Sequence, residues 1–454
     1  LSTLLEQHPQ VPLRSEADLE GYFQKFCKPH DEVRVGLEAE FLTVDRASGK
    51  ALPYQGSVSV HAMMRALAEQ YEYEPFYENG NIIALKKAVT YITLEPGGQM
   101  ELSAPPVKNI FEVEAQVEHF LEELRCLHEL YPSVMWLAYG IQPLSKPEEI
   151  VRVPKKRYDL MAEYLGARGK LAPYMMKLTA TNQVNFDYWS ESHAMGCLRT
   201  VFGITPIVSA MFANSPISEG KPNGFHSFRQ EIWRYTDPER SGILWELLDE
   251  RRRFRDYLEY VLKMPVMFIV RGGDWIPLGG ISFREFLKNG YQGAQATLND
   301  FELHLSTAFP EARLKQYLEI RGIDGQSAEL IPSVAAFWKG ILYDEKTRDK
   351  AWQLVASATR EERQRLVEEV PRKGLQASLG KTPILEIARE LVALSCASLG
   401  TQTTEEEGRS ECVFLKRIQK AITDPGKSPA ETLLEKWNNE WQGDIRQMLA
   451  YLRI

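Results

Sequence analysis

The chain has 454 residues, 44% hydrophobic and 26% charged, and its 54 basic against 62 acidic side chains leave a net charge of −8. This length is room for about three domains or one large decorated one, and the acidic balance excludes nucleic acid as the main partner, since proteins that neutralise phosphates carry excess Lys and Arg. The longest near-apolar stretches, 204–213 and 134–141, fall far below the roughly 20 residues of a membrane span, so no membrane partner is expected.

In chain order, residues 1–13 are polar and proline-containing, unlike a secretory leader. An alternating run at 33–44 predicts a strand, followed by a turn at 45–50 and a helix at 61–71. Segments 81–85 and 89–94 are β-rich, and Pro96-Gly97-Gly98 breaks the run before another strand at 99–103. Asn109 can cap a long helix with the apolar stripe Ile110, Val113, Val117, Phe120, Leu124 and Leu127. A buried strand is predicted at 134–141, an alternating one at 179–188, and a helix at 190–202. Residues 214–227 form a loop rich in Gly, Pro, Asn and Ser, and strands at 266–270 and 314–321 complete the β content.

Beyond residue 326 the pattern is helical, at 328–343, 360–369, 385–398 and 430–452, interrupted by a polar, acidic surface loop at 401–410. The layout is a mixed helix-and-strand catalytic body, 1–325, with a helical C-terminal part, 326–454, packed on it. The five cysteines are scattered without a CxxC pair and read as reduced thiols of a cytoplasmic protein.

Familiar catalytic signatures are missing: there is no HExxH, GxSxG or GxGxxG, and the spacing from Gly374 to Gly380-Lys381-Thr382 is one residue too long for a P-loop. Instead, polar residues recur on strands where alternate positions share a face. Glu38 and Glu40 form one such set. Gln99, Glu101 and Ser103 form another, with Glu95 just before the break. Thr179, Thr181, Gln183, Asn185 and Asp187 form a third, and Tyr317, Glu319 and Arg321 a fourth. A solvated sheet face would alternate in the same way. These faces, however, concentrate Glu, Gln and Asn with hardly any Lys, and crowded carboxylates repel unless cations lie between them. Hard oxygen ligands on rigid strands suit Mg²⁺, commonly shared with nucleotide phosphates. Arg229, Arg234 and Arg240 follow the 214–227 loop, and Arg313 and Arg321 flank the last strand, where guanidinium groups suit carboxylate or phosphoryl oxygens. The Arg251-Arg252-Arg253 run reads as an exposed helix face.

Several of these stretches resemble the plant and bacterial type of glutamate–cysteine ligase. They are Val35-Gly36-Leu37-Glu38-Ala39-Glu40-Phe41, Leu94-Glu95-Pro96-Gly97-Gly98-Gln99-Met100-Glu101-Leu102-Ser103, Gln183-Val184-Asn185-Phe186-Asp187, Ala213-Asn214-Ser215-Pro216 through Gly224-Phe225, Ile232-Trp233-Arg234-Tyr235-Thr236-Asp237, and Tyr317-Leu318-Glu319-Ile320-Arg321-Gly322. The resemblance runs from about Glu32 to Trp441. It implies an α+β fold: a curved, largely antiparallel sheet of glutamine synthetase-like type, with helices on one face and a helical C-terminal part. It implies ATP-dependent joining of the glutamate γ-carboxylate to the cysteine amine through a γ-glutamyl phosphate.

The resemblance also implies Mg²⁺ held by Glu38, Glu40, Glu95, Glu101, Gln183 and Glu319. Arg321 and Arg229 would be catalytic. Arg321, Arg313 and Gln183 would attend the nucleotide, and Arg229, Arg234, Asn185 and Trp233 the amino-acid substrate. The 214–227 loop would be a hinged cover shielding the acyl phosphate. Tyr174, Lys177 and Leu178 depart from the plant pattern, which leaves a γ-glutamyl ligase for another amine as an alternative. A guanidino-type phosphotransferase and a non-catalytic binding module are further ones. No regulatory disulfide is carried over from the family, and the oligomeric state stays open.

Overall fold

A computed structural model of the protein describes residues 11–401 and 409–454; the N-terminal stretch to residue 10 and residues 402–408 of the acidic loop lie outside the described residues. The first alternating run forms a long strand, β1 (Val35–Asp45), followed along the chain by β2 (Glu74–Glu78), β3 (Asn81–Lys87), β4 (Thr90–Leu94), β5 (Met100–Ser103), β6 (Val134–Leu137) and β7 (Asn182–Phe186). Four small two-stranded pairs stand apart: β8 (Ile217–Ser218) with β9 (Lys221–Pro222), β10 (Ser241–Gly242) with β13 (Phe309–Pro310), β11 (Phe268–Arg271) with β12 (Asp274–Pro277), and β16 (Ser378–Leu379) with β17 (Thr382–Pro383). The strand expected at 266–270 is thus one arm of a separate hairpin. The one expected at 314–321 is itself a hairpin, β14 (Ala312–Leu314) and β15 (Leu318–Ile320), because the chain bends at Lys315–Tyr317.

These two join the main sheet, whose order is β14-β15-β7-β1-β5-β4-β3-β2, with β6 on the second half of β1. Every neighbour in it is antiparallel. The expected α+β architecture is therefore present. β1 is buried on both faces, and its alternation separates two environments. Leu37, Ala39 and Phe41 point into the core with Val184, Phe186 and Leu102, whereas Glu38 and Glu40 point the other way.

Helices fill the apolar side. After α1 (Val60–Tyr71) comes α2 (Ile110–Leu130), whose Asn109 side chain accepts from the Glu112 N–H at 2.9 Å and whose Phe120 ring lies 5.9 Å from Phe41. α3 (Lys156–Gly166), α4 (Ala172–Leu178) and, after α5 (Glu191–Met211), α6 (Phe228–Arg234) contribute to the opposite, polar side of the sheet. α5 differs from expectation: with 21 residues it is long and apolar enough to cross a bilayer, but 89% of its most apolar window is packed inside the protein. α7 (Phe254–Lys263), α8 (Phe283–Asn289) and α9 (Leu298–Leu305) lead to the C-terminal helices. These are α10 (Ile331–Leu342), α11 (Glu345–Ala356), α12 (Arg360–Lys373), α13 (Ile384–Thr401), α14 (Cys412–Ile418), α15 (Pro429–Glu435) and α16 (Ile445–Leu452). The helix expected at 430–452 is interrupted by a π turn at Lys436–Glu440. α10 is buried on all sides and packs against β1, β7 and α2. Lys339 on α10 pairs with buried Glu411 at 2.7 Å, and the same carboxylate accepts from the Ile110 N–H that opens α2.

Two expectations need correction. Cys396 and Cys412 form a disulfide joining α13 to α14, with Cα atoms 4.7 Å apart; Cys27, Cys126 and Cys197 are free thiols. Sequence spacing could not show that two helices bring these two cysteines together. The 214–227 loop is not hinged. Asp324 accepts from the Asn214 N–H and the Ser215 hydroxyl, both at 2.7 Å, and from the Ser227 hydroxyl at 2.8 Å, so both ends of the loop are pinned to one buried carboxyl.

The Pro-Gly-Gly break is equally constrained. A Cβ on Gly97 would lie 2.1 Å from the Lys177 carbonyl oxygen at the end of α4, and Gly98 has φ +84°. Gly97→Ala must therefore push α4 from the sheet. We expect a loss of about 1–3 kcal/mol, in the range of overpacked interiors, read as a lowered thermal unfolding midpoint. An unchanged midpoint would mean that α4 yields freely there.

Candidate active site

The polar face of the sheet is the floor of a cavity. β1 supplies Glu38 and Glu40, β5 Glu101 and β7 Gln183, while Glu95 and Gln99 flank the Pro-Gly-Gly break. Register explains the grouping, because Glu38 stands opposite Gln183 on one side and Ser103 on the other, and Glu40 stands opposite Glu101. A second wall carries the opposite sign. It holds Arg313 and Lys315 from β14 and the bend after it, Arg321 just past β15, Arg229 and Trp233 from α6, and Arg157 from α3. Met161, Met175, Met176 and Phe309 give it an apolar rim.

The acids are not neutralised by one another. Burial raises the Glu38 carboxyl, and the charges of Glu319 and Glu101 add to it. Glu40 is pushed well above the usual carboxylate range by burial and then by Glu95 and Glu101. Half-buried Glu95 is raised to about 7 by burial and by Glu101. Hydrogen bonds fix their orientation: Asn185 donates to Glu38 at 3.1 Å, the Thr181 N–H to Glu40 at 3.0 Å, and Thr93 and Ser103 to Glu101 at 2.9 and 2.8 Å. The Oε1 acceptors of Gln99 and Gln183 are buried without a hydrogen-bond partner. Among the described residues no three acidic, His or Cys side chains already converge as a metal cage. Repelling carboxylates and two orphaned amide oxygens nevertheless form a donor set that suits a hard divalent cation.

Glu319 is placed differently from its expected ligand role. Its oxygens accept from Arg313 at 2.6 and 2.8 Å, Lys315 at 2.5 Å and Arg321 at 2.5 Å. Burial would raise this carboxyl, but the three cations hold it well below the usual range. Its oxygens are taken up in binding the cationic wall together. Arg229 is 3% exposed; its Nη2 donates to the Arg321 carbonyl at 3.0 Å, and its Nε has no hydrogen-bond partner. Trp233 sits between the Arg229 and Arg321 guanidinium groups, 5.9 and 5.5 Å from its ring, with its indole N–H buried and unpartnered.

Of the residues singled out in the sequence, Glu38, Glu40, Glu95, Glu101, Gln183, Arg229, Trp233, Arg313 and Arg321 are brought together around this cavity. Asn185 and Glu319 touch it through Glu38 and the arginines. Arg234 is not brought there: it pairs with Glu231 at 2.6 Å, because on α6 it lies five residues from Arg229, off the face that Arg229 and Trp233 share. No residue of 214–227 lines the cavity either. Lys177 donates instead to the Pro147 and Ile150 carbonyls, and Tyr174 packs on Phe228, so neither departure from the plant pattern reaches it. Sequence reasoning missed Arg157, Lys315 and Tyr158. It also missed Lys155, which is buried beside Glu95 and lowered to about 8 by burial. These residues have no strand alternation to reveal them.

The structure resembles that of a glutamate–cysteine ligase from Francisella tularensis in complex with AMP (TM-score 0.57, 14% identity, covering 92% of this chain and 88% of that one). It also resembles a bifunctional glutathione synthetase from Pasteurella multocida (TM-score 0.51, 16% identity, 97% and 54%). Both likenesses are of fold. Fold and site, with the sequence relatives below, define an enzyme of the ATP-dependent carboxylate–amine ligase class. The chain belongs to glutamate–cysteine ligase family 2, whose profile matches residues 34–450. It is 36% identical over 437 residues to glutamate–cysteine ligase B, chloroplastic, of rice (Oryza sativa subsp. japonica), covering 96% of this chain and 86% of the relative. It is 37% identical over 433 residues to the chloroplastic glutamate–cysteine ligase of Brassica juncea, covering 95% and 82%. These relatives overturn the expectation of a cytoplasmic protein, for they are named as chloroplastic. Cysteine spacing, which also hid the Cys396–Cys412 bridge, does not tell one cellular compartment from another.

The raised acids give the unliganded protein a defined pH response. Between about 4.5 and 7, folded Glu95 keeps a proton that the unfolded chain has released, so stability falls as pH rises through that window. The loss from Glu95 is at most about 3 kcal/mol. Melting midpoints measured without metal should fall from pH 5 to pH 7.5, and Glu95→Gln should flatten that fall. A profile that rises over the same range would contradict the assignment.

Proposed function

We propose that this chain joins the γ-carboxylate of glutamate to the amine of cysteine, using ATP, as the first step of glutathione biosynthesis. The observation that carries the reading is the meeting of two charged sets in one cavity: Glu38, Glu40, Glu95 and Glu101 in one set, Arg229, Arg313, Lys315 and Arg321 in the other. Membership of the ligase family sets aside a binding module and a guanidino-type phosphotransferase. The alternative amine acceptor loses its support, since Lys177 and Tyr174 lie away from the cavity.

A carboxylate is a poor electrophile, so the γ-carboxylate oxygen first attacks the γ-phosphorus of ATP. The bond to the bridging oxygen breaks, leaving γ-glutamyl phosphate and ADP. The cysteine amine then attacks the acyl carbon, phosphate departs, and the amine loses a proton. Arg321, Arg313 and Lys315 stabilise the charge that spreads over the transferred phosphoryl oxygens, and Glu319 keeps their side chains fixed before substrate arrives. Arg229, with an unused buried donor, receives the α-carboxylate of glutamate beside Trp233. Mg²⁺, for which Glu38, Glu40, Glu95 and Glu101 with the Gln99 and Gln183 amide oxygens are the fitting donors, would neutralise polyphosphate charge. The rim of Met161, Met175, Met176 and Phe309 keeps water from the acyl phosphate, the part first assigned to the 214–227 loop.

Mass spectrometry of a reaction with glutamate, cysteine and ATP–Mg²⁺ should show γ-glutamylcysteine, ADP and phosphate in equal amounts. A phosphorylated amino acid without amide would refute the reading. Glu38→Gln keeps shape while deleting one negative charge, so it should fold and lose most turnover, most severely at limiting Mg²⁺; full activity there would reduce the acidic wall to a solvated face. Arg229→Lys should lower kcat/KM for glutamate more than tenfold, above about 1.4 kcal/mol, because Lys offers a point charge in place of a fork. KM for ATP should move much less. A loss under threefold accompanied by a lower melting midpoint would leave Arg229 as a packing residue.

A further inference from the structure

Away from the active site, a second cavity of about 400 Å³ is lined by five arginines, Arg199, Arg251, Arg252, Arg253 and Arg348, against two acids, Asp249 and Glu250. Arg251, Arg252 and Arg253, expected on an exposed helix face, lie instead in the turn that precedes α7. Two of them are already matched: Arg251 pairs with Asp249 at 2.7 Å and Arg252 with Asp256 at 2.8 Å.

Arg348 has no buried counter-charge. Its side chain is 8% exposed, and its Nε and Nη1 are buried without a hydrogen-bond partner. The nearest carboxylates are those of Asp349 and Glu345, 3.7 and 3.9 Å from Nη2, and both are more than half exposed. The Cys197 thiol also lies against this guanidinium but stays neutral, since burial pushes it up to about 12. Arg199 repeats the pattern: its Nε is buried and unpartnered, its face stacks on Trp352 at 4.9 Å, and its one acid, Glu250, is 3.4 Å away and 79% exposed.

A buried guanidinium without a buried counter-charge is costly, and such unsatisfied donors commonly mark the seat of an ion. The backbone makes room for this one. A Cβ on Gly196 would come within 3.1 Å of the Arg348 guanidinium carbon, so glycine at this turn of α5 lets the group lie flat on the helix. Ser192, Met195 and Gly196, from the first two turns of this 21-residue helix, line the same cavity, placing the positive end of the helix dipole beside it.

We infer that this cavity is a second, non-catalytic anion site that takes a phosphate group through Arg348 and Arg199. A multiply charged oxyanion fits better than a single carboxylate, because two planar guanidinium groups, three of whose nitrogens have no hydrogen-bond partner, belong to a lining of net positive charge. The phosphate could arrive as the free ion or as the tail of a nucleotide.

Titration calorimetry of the full chain with inorganic phosphate, at low ionic strength and without Mg²⁺, tests the site. Wild type should bind phosphate. Arg348→Gln should weaken that binding at least tenfold and Arg199→Gln at least threefold, with ligase kcat/KM within twofold of wild type. Arg321→Gln, in the active site, should leave this isotherm in place. ADP binding at least tenfold tighter than phosphate, and equally sensitive to Arg348→Gln, would identify the nucleotide tail as the occupant; equal or weaker binding would identify the free ion.

Stability separates a binding role from a packing one. In phosphate-free buffer Arg348→Gln should melt no lower than wild type, because it removes an uncompensated charge, and added phosphate should raise the wild-type midpoint but not the variant's. If Arg348→Gln does not fold, Gly196→Ala, which displaces the guanidinium, should lower phosphate affinity in its place. Phosphate binding indifferent to all three substitutions, or lost only in Arg321→Gln, would overturn the inference.

Discussion

Electrostatic repulsion among Glu38, Glu40, Glu95 and Glu101 is the constraint around which the molecule is arranged. Strand geometry puts these carboxylates on one face of an antiparallel sheet, and burial takes away the water that would otherwise screen them. Such a cluster cannot be stabilised by apolar packing, so the compensation has to come from cations lining the same cavity. The β14–β15 hairpin and α6 supply it, and Glu319 binds three cations into one rigid unit instead of letting them collapse onto the acids. Acids and cations are thereby kept apart inside one buried site.

The parts of this arrangement that follow the period of a strand were legible beforehand. Glu38 and Glu40, Glu101, and Gln183 with Asn185 each alternate with core residues, and strand pairing then had only to bring the polar faces together. The side chains that escaped notice lie where no period operates: Lys155 and Arg157 at the start of α3, and Lys315 in the bend of the hairpin. Arg234 shows the opposite error, since a short motif suggested nearness to Arg229 and Trp233 that helical rotation denies.

Contacts distant in sequence were illegible for a different reason. The composition of residues 214–227 suggests mobility, but the Asp324 carboxyl that pins both ends lies about a hundred residues downstream. The helix expected at 190–202 likewise runs on to Met211, because the surrounding core holds Gly203 and Pro206 in helical conformation. Local signals describe propensities, and tertiary packing overrides them wherever burial is nearly complete.

The Cys396–Cys412 bridge alters what chain scission can do. Residues 397–411 form a covalently closed ring, so hydrolysis of any peptide bond within it leaves α1–α13 and α14–α16 as one molecule. Glu411, which anchors Lys339 and the start of α2, is within that ring and would stay tethered through its C-terminal neighbour Cys412. Release of the last helices thus requires two independent chemical events, backbone cleavage and reduction of the disulfide. The C-terminal helices are in effect double-locked against a protease acting on that segment alone.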